Sequence, residues 1–316
     1  MRRYALRRLS FLPIILLAVS LITFMVLRVL PSQDPADVVG GANATEAQKQ
    51  AYREQLGLNE PLYRQYTDWL GHALTGDFGK TFNSQKSVRD EFVRRFPASF
   101  ELVMMAITFS AFFGISFGIL SAMYRNSLLD YAVRIFAVFG ASIPEFFLLT
   151  LLIIVPSYFW SYSMPLGGYV PIYEDPANNL RLFLPAALIL GIGGSSGLMR
   201  LTRTTMLEVL RSDYVRTARS KGLRQRTVVL THALRNAGTP IMTALGTSFI
   251  LVFSGSVIAE QILSIQGNGL FFFTSTLSRD LPVIQFLAVY TAAVVVIVNL
   301  LVDLSYAVVD PRVKYS

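Results

Sequence analysis

Cysteine is absent from the 316-residue chain, and histidine occurs only twice, as His72 and His232. Without thiols, neither a disulfide framework nor thiolate chemistry, as metal ligand or as nucleophile, is open to the protein. Charge is also scarce, because Asp, Glu, Lys and Arg together make up 15% of the residues, whereas hydrophobic residues make up 53%. This composition is too apolar for a soluble domain of the same length, and it predicts a membrane protein.

Acidic residues are fewer than basic ones, 20 against 28, which gives a net charge of +8. A cationic chain suits nucleic acid, but a membrane protein whose cations cluster on one side explains the charge equally well. Cations flank the apolar windows on one side at Arg2, Arg3, Arg7, Arg8, Arg125, a dense set within 200–235, Arg312 and Lys314. The positive-inside rule predicts that this side, with both termini, is cytoplasmic, and no nucleic acid partner is expected.

Six apolar windows have the length of about 20 residues that a helix needs to cross a bilayer. They are 9–30, 100–122, 133–159, 182–201, 241–263 and 283–309. The start of the chain, MRRYALRRLSFLPIILL, resembles a signal peptide and runs into the first window, but this window is of span length and no A-x-A cleavage site follows it. The chain is therefore predicted to be an all-α membrane protein with six transmembrane helices, the first of them retained.

A long polar segment, 31–98, separates the first two windows, and its basic residues are balanced by acidic ones. Thr45 and Gln48 have the spacing of a capping box before one helix, and Gly57 suits the position after its end. An apolar stripe at helical spacing follows Asn59, which predicts a second helix with Asn59 as its cap. We expect two short amphipathic helices on the outer face of the membrane.

A P-loop-like stretch lies within this segment. Gly79, Lys80 and Thr81 match the end of a phosphate-binding loop, but position 74 is Leu where that motif needs Gly, and no strand is predicted before it. We therefore expect no nucleotide site in this chain.

A serine-hydrolase pattern, G-x-S-x-G, is formed by Gly193, Ser195 and Gly197. An intramembrane protease also needs a histidine base within the membrane, and neither His72 nor His232 lies in an apolar window. The pattern is better interpreted as a small-residue face, Gly193-x-x-x-Gly197, that lets two helices approach closely.

Ionisable residues inside the apolar windows are functional candidates, because a charge in the bilayer is costly unless it faces a partner or a cavity. Glu145 and Asp303 lie deepest in their windows. Pro144 precedes Glu145 in the stretch SIPEFF, and a proline there can kink the helix beside a pathway. We predict Pro144, Glu145 and Asp303 as pathway residues, with a structural interhelical hydrogen bond as the alternative for Glu145.

The stretch SDYVRTARSKGL, at 212–223, is dense in Arg and Lys and lies between two apolar windows. The spacing of apolar residues in and just before this stretch predicts an interfacial helix over 206–219, ended by Gly222 as a left-handed residue. A second basic stretch, RQRTVVLTHALRNA, leads back to the membrane. By composition alone, a solvated loop beside lipid headgroups is the favoured explanation of these cations, ahead of a docking surface.

Residue order adds to this interpretation. Thr217, Ala218 and Gly222 follow a small-small-Gly pattern, and here the chain resembles the inner-membrane permease subunits of binding-protein-dependent ABC transporters. In those permeases the pattern marks the cytoplasmic EAA loop, whose coupling helix docks in a groove of the ATPase subunit. Arg216 stands where the general family has Glu, and YVRTARSKGL with HALRNAGTPI is similar to the oligopeptide/dipeptide branch.

Further stretches are similar to that branch in the same order along the whole chain. They are LGLNEPLYRQYTDWL, GDFGKTF, RFPASFELVMMA, SIPEFFL, VIAEQILSIQGNGLFFFTSTLSRDLPVIQ and DPRVKY. A departure lies at 264–269, where SIQGNG replaces the Pro-Gly-Leu-Gly turn of the branch. It concerns the shape of an outer turn that, in such systems, is available to meet the binding protein.

The resemblance implies a type I ABC importer permease fold in the bacterial inner membrane. It implies an N-terminus and first helix at 1–30, an external helical segment at 31–98, a five-helix core at 99–310 with a coupling loop at about 203–236, and a tail at 311–316. Coupling to the ATPase is expected at Tyr214, Arg216, Thr217, Ala218, Arg219, Lys221 and Gly222, and contact with the binding protein at Gln266 and Asn268.

The partners implied are a second homologous permease, two ATP-binding subunits, an extracytoplasmic substrate-binding protein and membrane lipid. ATP and Mg²⁺ belong to the ATP-binding subunits, so this chain is expected to have no cofactor, no metal site and no enzymatic activity of its own. Short peptides lead as substrates, while nickel chelates, oligosaccharides and other small solutes stay open. An ion-coupled secondary transporter is the rival mechanism, but the sequence shows no clear inverted repeat to support it.

Overall fold

The computed structural model describes residues 2–29, 45–55 and 57–309, and these residues are mainly helical. The helices are α1 (Arg2–Val29), α2 (Glu46–Gln55), α3 (Leu62–Leu74), α4 (Val88–Ala111), α5 (Gly118–Met123), α6 (Leu128–Ser142), α7 (Glu145–Trp160), α8 (Pro176–Leu210), α9 (Asp213–Ser220), α10 (Gln225–Thr227), α11 (Leu234–Leu263), α12 (Asn268–Leu277) and α13 (Leu281–Val309). Two π-helical stretches, Phe112–Phe117 and Val228–Ala233, join α4 to α5 and α10 to α11.

The predicted membrane spans are confirmed within the described residues. Five helical stretches are long and apolar enough to cross a membrane: Ser10–Val29, Val88–Met123, Pro176–Leu210, Gln225–Leu263 and Leu281–Tyr306. The bent pair α6 and α7 makes a sixth if it is counted as one span. Several helices extend beyond their apolar windows, because a polar sequence can continue a helix that hydropathy no longer detects.

The chain divides into two compact units. The larger unit comprises Met1–Arg8, Ala98–Ile265 and Ile297–Ser316, and the smaller comprises Leu9–Pro97 and Gln266–Val296. The last predicted segment, DPRVKY at 310–315, lies outside the described residues, as does 31–44. The predicted domain boundaries at 30, 98 and 310 stay predictions.

In the larger unit, α8 is the most buried of the candidate spans and packs against α11 and α4. Glycines allow this close contact. A Cβ at Gly191 would lie 2.6 Å from Phe109 Cβ on α4, and one at Gly194 would lie 2.7 Å from Val252 Cγ2 on α11. The close approach of helices therefore depends on Gly191 and Gly194, whereas a Cβ at Gly197 would meet nothing within 4 Å.

In the smaller unit, aromatic rings form a cluster. Phe92 on α4 lies 5.1 Å from Phe286 and 4.8 Å from Tyr290 on α13, measured between ring centroids. The segment with the P-loop-like sequence has a structural contact in this unit, because the Phe82 N–H donates to the buried carboxylate of Asp280 at 2.8 Å. Lys80 pairs with Ser87 in a β-bridge.

The predicted helix ends of the polar segment are partly confirmed. Thr45 N–H donates to Gln48 Oε1 at 2.9 Å and Gln48 N–H donates to Thr45 Oγ1 at 3.3 Å, which is the capping box. Gly57 has φ +62°, as expected of a residue after a helix end. The prediction of Asn59 as the second cap is wrong. Helix α3 begins at Leu62, and Pro61, whose ring fixes its φ angle, occupies the cap position instead.

Candidate functional site

The cationic helix, α9, begins later than predicted. The preceding helix, α8, continues to Leu210, so residues 206–210 belong to it and the predicted start at 206 is wrong. Arg211 and Ser212 form a short break, and the Ser212 hydroxyl donates to Val209 O at 2.6 Å. The predicted end is confirmed: Gly222 has φ +76°, a left-handed conformation that residues with a Cβ rarely adopt.

The inner face of α9 is apolar and packs within the chain. Val215 is fully buried and Ala218 is 8% exposed. Both belong to a cluster with Val228, at the start of the π-helix that leads to α11, and Leu210, at the end of α8. The small side chain of Ala218 therefore serves packing inside this chain, and α9 is attached to both α8 and the entry of α11.

The outer face of α9 is polar, cationic and exposed. Arg216, Thr217, Arg219, Lys221 and Gly222 are exposed, and Tyr214 is 44% exposed. Arg216 lies 3.6 Å from Asp213, but both side chains are at least 80% exposed, so this ion pair contributes little. The helix thus presents cations and an aromatic ring outward while an apolar face fixes it from behind. Docking of this face on an ATPase stays a prediction.

The third span breaks at Pro144. Helices α6 and α7 meet at an angle of 92°, and the break lies at Ile143 and Pro144. Proline cannot donate a backbone hydrogen bond and disfavours helical backbone in the residue before it, which explains the extended conformation of Ile143. The predicted kink is confirmed, and Glu145 begins the second half of the broken span.

The Glu145 side chain lies in a notch between two helices. A Cβ at Gly193 on α8 would meet Glu145 Oε1, and a Cβ at Gly255 on α11 would meet Glu145 Oε2. Such a Cβ would also lie 3.2 Å and 3.3 Å, respectively, from Glu145 Cδ. Gly193 and Gly255 therefore leave room for the carboxylate. Within the described residues, no hydrogen bond or ion pair engages it, so the structure does not supply the interhelical hydrogen bond that was the alternative.

The other predicted pathway and contact residues do not belong to the three helices that form this notch. Asp303 is half-buried on α13, one turn before the end of the candidate span at Tyr306. In the smaller unit, Gln266 is exposed and accepts from Arg95 at 3.4 Å, while Asn268 is buried at the start of α12. The roles assigned to these residues stay predictions.

A buried ion pair was missed by the sequence reasoning. Arg203 on α8 donates to both carboxylate oxygens of Asp130 on α6, each at 2.8 Å. Ser121 on α5 and the backbone N–H of Asn126 donate to the same carboxylate at 2.5 and 3.0 Å. A local signal was present, because Ser127 has the position of a cap and its Oγ accepts from Asp130 N–H at 3.3 Å. That signal places a helix start, but it gives no hint of Arg203.

The serine-hydrolase pattern is structural. Ser195 is fully buried, and its hydroxyl donates to Ile192 O of its own helix at 2.8 Å. Gly197 instead faces a cavity of about 440 Å³, lined by residues of α8 and α11 that include Thr243 and Thr247. Ser195 is therefore a structural residue, as expected, but the prediction that Gly193 and Gly197 let two helices approach closely is wrong for Gly197, where a Cβ would meet nothing within 4 Å.

The family model for the binding-protein-dependent transport system inner membrane component matches residues 114–315, and the model for the N-terminal part of such components matches residues 1–103. The dipeptide transport system permease protein DppB of Bacillus subtilis (strain 168) is 37% identical over 99% of this chain and 98% of its own. The oligopeptide transport system permease protein AppB of the same organism is 34% identical over all of both chains.

Solved structures support the fold. Two inward-facing crystal forms of the MetNI methionine ABC transporter match with TM-scores of 0.50 and 0.52, at 19% and 17% sequence identity. They cover 69% and 70% of this chain and 96% of each matched chain. The predicted type I ABC importer permease fold is confirmed. Because the family models match nearly all of its length, the chain belongs to the inner membrane components of binding-protein-dependent transport systems.

Proposed function

We propose that this chain is one of two permease subunits of an ATP-driven importer of short peptides. The observation that carries the proposal is the construction of α9, whose cationic face is exposed while Val215 and Ala218 anchor it from behind. Two full-length relatives are named as a dipeptide and an oligopeptide permease protein, which supports peptides as the substrate class.

The partners are a second homologous permease, two ATP-binding subunits that hold ATP and Mg²⁺, and a substrate-binding protein outside the membrane. Arg216, Arg219 and Lys221 suit an acidic groove on an ATP-binding subunit, and the half-exposed Tyr214 suits an anchor at the centre of such an interface. The positive-inside rule puts α9 and both termini in the cytoplasm of a bacterial cell.

The contacts of α9 indicate how coupling would proceed. Closure of the ATP-binding subunits around ATP would displace α9. Because Val215 and Ala218 pack against Leu210 and Val228, displacement of α9 is passed to the end of α8 and to the entry of α11. These two helices carry Gly193 and Gly255, which flank Glu145. A movement at the cytoplasmic surface would thereby change the interior of the permease.

The test is purification of the tagged chain from its native membrane in mild detergent, followed by reconstitution in liposomes. We expect co-purification of P-loop ATPases and a second permease, and ATP hydrolysis that increases when a peptide-loaded binding protein is added. Uptake of labelled trialanine is compared with uptake of a nickel chelate and an oligosaccharide. Uptake driven by an ion gradient without any ATPase would support a secondary transporter and overturn the proposal.

A further inference from the structure

We infer that the Glu145 carboxylate binds the ammonium group of the transported substrate, which for a peptide is its N-terminal α-ammonium. The inference rests on the proposed peptide transport and adds a recognition site to it. Three independent features support it: the space made for the carboxylate, the absence of a cation for it within the described residues, and the helices that form its walls.

The space for the carboxylate is built by glycines on two helices. A methyl group at either Gly193 or Gly255 would collide with one carboxylate oxygen, and the other oxygen faces the second glycine. On the same helix as Gly193, a Cβ at Gly197 would meet no atom within 4 Å. The notch is therefore specific to the position of Glu145, and the break at Pro144 directs the start of α7 into it.

The charge of this carboxylate has no partner among the described residues. Asp130, the other acid of the same broken span, shows how the chain treats a carboxylate that it uses for structure. It receives both guanidinium contacts of Arg203, the Ser121 hydroxyl and a backbone N–H. Glu145 is half-buried and receives no such contact. A carboxylate in a membrane interior without a partner is costly, so its partner is expected to come from outside the chain.

The walls of the notch connect it to the coupling helix. Gly193 belongs to α8 and Gly255 to α11, and α9 packs against the end of α8 and the π-helix before α11. A ligand at Glu145 would therefore be held and released as α8 and α11 move. Among the substrate classes that are open for this family, a peptide with a free N-terminus brings an ammonium group, since its α-amino group is mostly protonated at neutral pH.

The experiment uses the complete transporter in liposomes with trialanine-loaded binding protein. E145Q keeps the shape of the side chain and removes its charge, and E145D keeps the charge. We expect E145Q to lower transport by about tenfold or more, as for loss of a charge-assisted hydrogen bond, and E145D to retain part of the wild-type rate. E174Q removes an exposed carboxylate from the loop before α8 and serves as the matched control, with unchanged transport.

A thiol at position 145 tests the role of charge directly, because the chain contains no cysteine of its own. E145C is treated with sulfonatoethyl methanethiosulfonate, which adds an anion, or with trimethylammonium-ethyl methanethiosulfonate, which adds a cation. We expect the anion to restore transport severalfold over untreated E145C and the cation to restore none. Wild-type transporter treated in the same way corrects for thiols on the other subunits.

Several results would overturn the inference. Normal transport by E145Q, equal effects of the two reagents, or a thiol that neither reagent reaches would each show that Glu145 does not bind a substrate cation. If E145Q loses both transport and assembly, the thiol experiment decides between the two causes. Both adducts are made on the same assembled E145C transporter and differ in the sign of the added charge. If the wild-type transporter moves no trialanine, the proposed peptide function itself has failed, and this inference fails with it.

Discussion

Arg203 and Asp130 form a bidentate ion pair in which Nε and Nη2 each lie 2.8 Å from a different carboxylate oxygen. Asp130 is fully buried, and only 19% of the Arg203 side chain is exposed. The pair joins the first turn of α6 to α8, and Ser121 adds α5 to the same network. Three helices of the larger unit are thereby fixed to one another by a single carboxylate.

D130A should destabilise the transporter, because it leaves the Arg203 cation buried without its partner. Breaking a buried pair in this way costs about 3–5 kcal/mol, and we expect a fall of several degrees in the Tm of the detergent-solubilised complex. S121A removes one hydroxyl and should cost about 1 kcal/mol. In the double variant D130A/R203A no unpaired charge is left, so it should be more stable than D130A. A D130A complex with the wild-type Tm would show that the pair does not stabilise the helices.

Reversal of charge on the outer face of α9 should weaken the binding of the ATP-binding subunits and thereby lower transport. R216E/R219E leaves the apolar face of Val215 and Ala218 intact, so the Tm of the isolated chain should stay unchanged. Recovery of ATP-binding subunits in pull-down, and transport, should both fall by at least about tenfold, because charge pairs at the partner's groove become repulsive. The measurement is the ratio of co-purified ATPase to permease.

R125E/R181E is the matched control for this experiment, since it reverses two exposed arginines outside α9. It should leave the ratio of ATPase to permease unchanged. If the control lowers this ratio as much as R216E/R219E does, the loss follows from net charge rather than from docking of α9.

Much of this architecture is readable from the sequence, because a membrane span leaves a strong hydropathy signal over about 20 residues. The apolar windows correspond to the candidate spans, and the left-handed Gly222 and the break at Pro144 are local effects of single residues. The start of α9 was misplaced because Leu207 and Leu210 continue the apolar periodicity of α8 up to Arg211. Periodicity alone does not distinguish one long helix from two.

The environment of Glu145 was beyond sequence reasoning for a different reason. Its neighbours Gly193 and Gly255 are distant in the chain and belong to two other helices. Gly193 itself was assigned to a helix-packing face, although Gly191 and Gly194 make the close contacts. The rotation of a helix by one residue decides which glycine faces which neighbour, and an apolar sequence on all sides leaves that rotation unspecified.

Stability of the smaller unit should depend on pH through Asp280. Burial raises the pKa of this carboxyl above its usual range, against the opposing effect of the backbone N–H groups that it accepts from, Phe82 among them. Because the folded state then holds this proton more tightly than the unfolded state, the contribution of Asp280 to stability is fully present below about pH 4, the pKa of an unperturbed Asp. It falls as pH rises through the folded-state pKa.

D280N tests this dependence, because the amide keeps an acceptor oxygen for the Phe82 N–H but does not titrate. The Tm of wild type minus that of D280N should decrease as pH rises from about 4, and other carboxyls cancel in the difference. A constant difference across the pH range, or one that increases with pH, would contradict the assigned direction. D280A should lower the Tm at every pH, since the Phe82 N–H then lacks its acceptor.

The glycines beside Glu145 give a graded test of the notch, because one helix contains both an intolerant and a tolerant position. G193A and G255A each place a methyl group against the carboxylate, and overpacking of this kind costs about 1–3 kcal/mol. In G197A the methyl group enters open space, and alanine is better than glycine in a helix by about 1 kcal/mol, so its Tm should be equal to or above wild type. Combining E145A with G193A removes the collision and should recover most of the lost Tm, although transport stays low. If G193A remains as destabilised in the E145A background, its methyl group is colliding with something other than Glu145, and the carboxylate does not occupy the notch.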